Sequence, residues 1–140
     1  RDLHVSIRRQ RQMCIRDRLD IRGNYRAKGG DFIVMVNEID EIIGSHATLP
    51  INTNDGVLTF RRLYLKKNYR GEGTGKKLMD WAVKWSIENQ FKRVEFWSDV
   101  RFKRAHEFFE SYGFVKPGEI REMNDGALPY SEFFFYMKLL

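Results

Sequence analysis

The chain has 140 residues, which favours a single domain, and 42% of them are hydrophobic, enough to build a core. No run approaches the roughly 18 apolar residues that a membrane-spanning helix needs, and the single cysteine excludes an intrachain disulfide. With no secretory signal in view, we expect a cytoplasmic protein that has no membrane partner.

The formal net charge of +6 raises the question of nucleic-acid binding, but the charge is unevenly distributed. Residues 1–18 contain six arginines and two aspartates, hence +4, so the other 122 residues carry only +2. We therefore predict no nucleic-acid partner. A basic nucleic-acid-binding module that uses residues 1–18 stays as an alternative.

Residues 1–18 show neither helical nor strand periodicity, so no element is predicted for them. Residues 13–18, with the sequence MCIRDR, resemble one translated frame of the transposon end used to prepare sequencing libraries. The alternative is a disordered basic arm. We interpret residues 1–18 as a non-native or disordered segment and residues 19–140 as the folded domain.

The rest of the chain predicts strands that alternate with helices. Period-2 patterns and β-branched residues predict a hairpin of strands 31–37 and 42–49, then strands at 57–65, 92–98 and 131–139. Residues 115–125 are irregular or form a weak strand. Apolar residues at i, i+3, i+4 and i+7 predict helices over 74–89 and 102–112, the second ended by Gly113. This order predicts a mixed α/β, or α+β, structure with a central mixed sheet flanked by helices.

The strand 57–65 has an irregular apolar pattern. Leu58 and Phe60 share one parity, whereas Leu63 and Leu65 share the other. One extra residue near positions 61–62 would bring all four to one face, which predicts a β-bulge. A strand that is buried on both faces explains the pattern equally well.

A glycine-rich loop lies between this strand and the first helix. Gly71, Gly73 and Gly75 let the backbone turn sharply, and successive N–H groups at a helix N-terminus favour an anion. The loop therefore predicts a phosphate or pyrophosphate site, to which Arg70 would add a charged fork. The alternative is a glycine-rich turn without a ligand. The spacing fits neither the P-loop nor the dinucleotide fingerprint.

Two stretches resemble one family. Residues 63–78, LYLKKNYRGEGTGKKL, are similar to the Arg-x-x-Gly-x-Gly cofactor motif of the GNAT superfamily of acyl-CoA-dependent N-acetyltransferases. Residues 105–114, AHEFFESYGF, are similar to a downstream helix of that family, at the family's usual separation. The resemblance covers roughly residues 19–140.

The resemblance implies acetyl-CoA as co-substrate and direct transfer of the acetyl group to a primary amine of a small molecule or peptide, and no metal. It places the co-substrate between two splayed parallel strands, here 57–65 and 92–98, and gives the backbone N–H near Leu65 the role of polarising the thioester. The implied cofactor-binding residues are Leu63, Tyr64, Leu65, Arg70, Gly71, Glu72, Gly73, Thr74, Gly75, Lys76 and Phe109.

The sequence departs from the family at the catalytic positions. Phe109 stands where relatives usually have a tyrosine that protonates the leaving thiolate. Tyr112, one turn on, is a candidate substitute, although core packing explains it too. Thr59 stands where many relatives have a glutamate base. Asp99 and Glu38 are the candidate replacements, and a chain of water molecules is a further route for the proton. Asp99 is the better placed, with a helix N-cap as its alternative role. His106 is interpreted as a surface residue.

The family begins with a strand and two helices that line the acceptor pocket. Because the matching region starts around residue 19, we expect this β-α-α unit to be truncated. A CoA-binding pseudo-enzyme or fragment is therefore the main alternative function. The sequence allows a homodimer but does not specify an oligomeric state.

Overall fold

A computed structural model describes residues 5–9, 25–124 and 128–139. These residues form one seven-stranded sheet in the order β1-β2-β3-β4-β5-β7-β6, together with two α-helices. The strands are β1 (Ser6–Arg9), β2 (Asp31–Val36), β3 (Ile42–Asn52), β4 (Val57–Leu65), β5 (Arg93–Asp99), β6 (Ile120–Met123) and β7 (Tyr130–Lys138). The helices are α1 (Thr74–Glu88) and α2 (Lys103–Tyr112). The predicted mixed α/β sheet is confirmed.

Strands β2, β3 and β4 form an antiparallel meander. Every residue of β2 is buried, which explains its nearly continuous apolar sequence, because a strand covered on both faces has no polar side. β3 runs to Asn52, three residues beyond its predicted end, and pairs there with Val57 across the turn.

The chain then crosses over through α1 to β5, which lies parallel to β4. Helix α1 buries Leu78, Met79 and Ala82 on one face, as the apolar spacing predicts. Helix α2 ends before Gly113, whose φ of 127° is open to glycine but strained for other residues. Both helices pack on the same side of the sheet, over a core that includes Phe60, Phe96 and Phe135.

Beyond β5 the sheet is antiparallel again. β7 pairs with β5 along seven residues, and β6 forms the edge of the sheet beside β7. The segment predicted as irregular or weakly extended contains β6 and one isolated bridge between Val115 and Tyr136.

The edge strand at the other end of the sheet lies where no element was predicted. Ser6–Arg9 pairs antiparallel with β2, so a strand lies within the segment interpreted as non-native or disordered. The strand has four residues, with Ser6 and Arg8 exposed and Ile7 half-buried between them. It is too short to show the period-2 pattern of a strand. Residues 13–18, which resemble the transposon end, lie outside the described residues.

Among the described residues, no helix is both long and apolar enough to cross a membrane. No group of three or more His, Cys, Asp or Glu side chains in this part of the chain is placed to hold a metal ion.

Candidate active site

The parallel strands β4 and β5 separate soon after they begin. Val57 lies opposite Arg93 and Leu58 opposite Val94, but the two strands form no further register pairs. A cavity of about 910 Å³ lies where they diverge. The splayed pair predicted by the family resemblance is therefore present, and it opens a passage through the sheet.

The residues around this cavity come from both faces of the sheet. On the side of α1 and α2, here called the helix side, it is lined by His46, Phe60, Leu63, Met79, Phe96, Ser98, Ala105 and Phe109. On the opposite face, here called the far side, it is lined by Tyr25, Arg61, Arg62, Trp97, Tyr130 and Glu132. Phe102 completes the lining beside α2.

The predicted bulge interrupts β4 at the point where the cavity opens. Ser45 lies opposite Tyr64 and Ala47 opposite Arg61, so Arg62 and Leu63 together face one residue of β3. Arg62 has a φ of 57°, a left-handed conformation that non-glycine residues seldom adopt. Its carbonyl accepts a hydrogen bond from Ser45 Oγ at 2.7 Å, which helps to hold this conformation.

The backbone at the end of β4 faces the opening between β4 and β5. Arg70 Nε donates to the Leu65 carbonyl at 2.9 Å, while the next residue, Lys66, donates its N–H to Ile43 of β3 at 2.7 Å. Because the backbone groups of successive strand residues alternate in direction, Leu65 directs its C=O and N–H away from β3. The N–H predicted to face a thioester is thus directed toward the side on which β5 has separated.

The glycine loop follows directly and presents open backbone. Gly71 and Gly73 have φ values of 85° and 81°. Apart from each glycine and its two chain neighbours, no atom lies within 4 Å of the position that a Cβ would occupy there. The first helical hydrogen bond runs from the Lys77 N–H to Gly73 C=O at 3.2 Å. The N–H groups of residues 74–76 therefore have no acceptor within the helix. A diphosphate fits this surface, because glycines admit close approach and the helix terminus favours an anion.

A family model described as an acetyltransferase (GNAT) domain matches residues 28–116. The chain belongs to the GNAT acetyltransferase family. Acetyl-CoA is the co-substrate of this family. The matched range begins before β2 and ends after α2, so it contains the splayed strands and the glycine loop of this GNAT domain.

Known proteins agree with the family assignment. An uncharacterized N-acetyltransferase of Archaeoglobus fulgidus is 34% identical over 89 residues, and the match covers 60% of each chain. A GNAT-family acetyltransferase of Staphylococcus aureus has a TM-score of 0.75 at 20% identity, over 97% of this chain and 99% of that one. A GNAT-family acetyltransferase of Elizabethkingia anophelis with acetyl-CoA bound has a TM-score of 0.74 at 13% identity, over 98% and 99% of the two chains. The two solved structures support the GNAT fold.

The GNAT motif residues divide between the loop and the cavity. Leu63 and Phe109 line the cavity, and Phe109 packs edge-on against Phe96 with ring centroids 4.9 Å apart. Tyr64 directs its side chain to the other face, where it is half exposed, so only its backbone is near the gap. Lys76 Nζ pairs with Asp80 at 2.9 Å along the first turns of α1.

Asp99, predicted as the base, is engaged by its neighbour. Its Oδ1 accepts the Arg101 N–H at 2.9 Å and Nε at 3.0 Å, and its Oδ2 lies 2.5 Å from Arg101 Nη2. These hydrogen bonds lower the pKa of Asp99 to about 2. Asp99 does not line the cavity, and it is not the N-cap of α2 either, since that position belongs to Phe102. These contacts argue against both predicted roles.

Tyr112, the predicted proton donor, links the two helices. Its hydroxyl donates to Asp80 Oδ1 at 2.6 Å, and burial together with this hydrogen bond raises the pKa of Tyr112. Tyr112 is also absent from the cavity lining. Both observations argue against the role of acid, because a raised pKa makes the hydroxyl a weaker donor of its proton.

The two histidines on the helix side are both buried. His106, interpreted from the sequence as a surface residue, is only 5% exposed, and its Nε2 lies 3.0 Å from Ser98 Oγ. Its helix packs that face onto the sheet, so the surface interpretation is wrong.

His46 lines the cavity and was missed by the sequence analysis. It is fully buried, and its Nδ1 lies 3.2 Å from the Leu78 carbonyl, so this nitrogen carries the proton. Nε2 is buried without a hydrogen-bond partner among the described residues, and burial lowers the pKa of His46 to about 4. The register that pairs Leu49 with Thr59 places position 46 opposite the bulge, and this register does not follow from the predicted strand ends.

Proposed function

We propose that the chain is an N-acetyltransferase that transfers an acetyl group from acetyl-CoA to a primary amine of a small molecule or peptide by direct attack. The main support is one arrangement: β4 bulges at Arg62, separates from β5, and leads into a glycine loop at a helix N-terminus. That arrangement joins an anion site to a cavity that crosses the sheet.

The loop would hold the diphosphate of the co-substrate. The N–H groups of residues 71–76 lie at the start of α1, where the helix dipole adds to their attraction for an anion. Arg70 supplies a guanidinium whose Nε is anchored on Leu65 C=O at 2.9 Å. This anchor leaves its two terminal nitrogens for a phosphate oxygen.

The cavity would hold the reacting groups. Acetyl-CoA supplies the acetyl group as a thioester, and the reaction exchanges its C–S bond for a C–N bond and releases the thiol. The Leu65 N–H is directed to the side on which the strands separate, where it would stabilise negative charge on the carbonyl oxygen. Phe60, Phe96 and Phe109 give this part of the cavity apolar walls that limit water.

Proton transfer in the proposed reaction would depend little on side chains that act as acid or base. Phe109 has no proton to give, but a thiol with a pKa of about 8.5 leaves tolerably as thiolate. Among the described residues that line the cavity, Glu132 is the single carboxylate, and it is ion-paired with Arg121 at 2.7 Å. We therefore assign removal of the amine proton to water in the cavity.

One alternative is a CoA-binding protein without turnover. It is favoured by Phe109 in place of a tyrosine, by Thr59 in place of a glutamate, and by the hydrogen bonds that occupy Asp99 and Tyr112. No contact among the described residues favours the nucleic-acid alternative.

Release of CoA thiol from acetyl-CoA, measured with a broad panel of primary amines, tests the proposal. We expect turnover that depends on the amine and produces the N-acetylated product by mass spectrometry. Calorimetry with CoA is run in parallel. Binding of CoA without turnover on any amine would reject the enzyme and support the CoA-binding alternative.

A further inference from the structure

The far side of the cavity combines aromatic walls with arginines. Tyr25, Trp97 and Tyr130 provide the rings, and Arg61 and Arg62 provide positive charge on β4. In a GNAT domain whose co-substrate is held by the loop after β4, this opposite mouth is where an acceptor would enter. Its charges therefore bear on which acceptors fit.

The acidic groups near this mouth are already neutralised. Glu132 Oε1 accepts hydrogen bonds from Arg121 Nε at 2.8 Å and Nη2 at 2.7 Å, and the Glu132 side chain is only 14% exposed. Asp99, the register partner of Glu132 on β5, accepts from Arg101 on both carboxylate oxygens. An acceptor would therefore find no carboxylate without a cation beside it among the described lining residues.

The aromatic rings also carry cations. The Arg121 guanidinium lies 4.5 Å from the centroid of Trp97, and that of Arg101 lies 5.8 Å from Tyr130. One face of each ring thus already makes a cation–π contact. A second ammonium group on the acceptor would meet guanidinium groups at both of these rings.

Arg61 is the residue at this mouth whose positive charge could pair with an acceptor. Among the described residues it makes no hydrogen bond or ion pair, and its side chain is exposed on the cavity wall. It lies opposite Ala47, immediately before the bulge residue Arg62, whose own Nε donates to Tyr25 Oη at 3.3 Å. Arg61 is four strand residues, roughly 13 Å, from Leu65, too far to share the diphosphate of the loop.

We infer that the acceptor is a compact amine that also carries a carboxylate, and that Arg61 binds this carboxylate. The guanidinium fork matches the two carboxylate oxygens and can pair with both at once. The long Arg61 side chain covers part of the distance to Leu65, so a short amino acid can bridge Arg61 and the thioester. This inference rests on the proposed acetyltransferase function.

The test uses tyrosine and phenylalanine, each matched with its own C-terminal amide, which lacks only the anionic group, together with the diamine cadaverine. For each, thiol release gives kcat/KM, and calorimetry in the presence of CoA gives the affinity without turnover. The variants are Arg61→Gln, which removes the charge, and Arg104→Gln, which removes an exposed arginine of α2 away from the cavity.

We expect the wild type to favour the acids over the amides by about tenfold or more in affinity and in kcat/KM, as a charge-assisted pair predicts. Arg61→Gln should bring that ratio close to one, and Arg104→Gln should keep it. Acid binding that depends on Arg61 without any turnover would reject the acetyltransferase and retain the carboxylate site. Preference for amides or cadaverine, absence of binding by either acid, or an unchanged ratio in Arg61→Gln would overturn the inference.

Discussion

At the scale of single residues, His46 places an ionisable ring in the interior beside the cavity. Its Nδ1–H is committed to the Leu78 carbonyl, so a second proton would have to sit on the buried Nε2. The neighbouring Phe60 ring, with its centroid 5.2 Å away, offers no hydrogen-bond acceptor. The neutral form is therefore the one that the fold stabilises.

This burial predicts a pH dependence of stability. The pKa of His46 falls from 6.5 to about 4 on folding, so the unfolded chain binds more protons between these values. The contribution of His46 to the free energy of unfolding is fully present above pH 6.5, and about 3 kcal/mol of it is lost as the pH drops to 4. His46→Gln keeps an amide donor for Leu78 C=O but does not titrate. Urea unfolding should therefore show that the free energy of unfolding falls less between pH 7 and pH 4.5 in His46→Gln than in the wild type. An equal fall in the two proteins would contradict this prediction.

Phe109 allows a test of the missing proton donor. Its ring lines the cavity at the position where the family resemblance implies a tyrosine, so Phe109→Tyr should raise or preserve turnover with acetyl-CoA. Phe108→Tyr is the matched control, since its ring neighbours the loop at Gly75 rather than the cavity. A folded Phe109→Tyr variant with tenfold lower kcat would show that the placement of this residue is incorrect.

The two residues predicted as base and acid, Asp99 and Tyr112, show where sequence reasoning fails at this scale. Asp99 and Arg101 are two residues apart, so their pairing could have been anticipated from the sequence. The partner of Tyr112 is Asp80, 32 residues away on another helix, and no local pattern indicates it. Residue types predicted the chemistry, whereas the contacts that occupy those residues depend on packing.

At the scale of elements, the sequence predicted the site-forming strand and helix well. The observed bounds of β4 match the prediction, and its parity break marked the bulge, because the period of two leaves a clear trace over nine residues. β1 and β6 have four residues each and were missed or left ambiguous. Such short edge strands take their structure from pairing with β2 and β7 rather than from local preference.

The glycine loop predicts a specific loss of CoA affinity. Gly73→Val would place a branched side chain on the open surface in front of the α1 N-terminus, so the Kd for CoA should rise at least tenfold by calorimetry. Gly118→Val is the control, because Gly118 also has a positive φ, 107°, and open space at its Cβ position, but lies outside the loop. Equal CoA affinity in the two folded variants would remove the loop from the site.

At the scale of the whole molecule, the proposed sites for the co-substrate and for the acceptor lie at the two ends of one cavity through the sheet. The loop at the end of β4 would bind the diphosphate on one side, the cavity between β4 and β5 crosses the sheet, and arginines and aromatic rings line the far mouth. The separation of two neighbouring strands makes this path possible, since a continuous ladder would close it. A sequence pattern can suggest the bulge, but the distance between β4 and β5 beyond it depends on tertiary packing.

A crystal structure of the chain with acetyl-CoA tests this path most directly. The account predicts the diphosphate within hydrogen-bond distance of the N–H groups of residues 71–76, and the thioester between β4 and β5 beside Leu63 and Leu65. A complex with the diphosphate elsewhere, or with the loop amides turned away from it, would contradict the account.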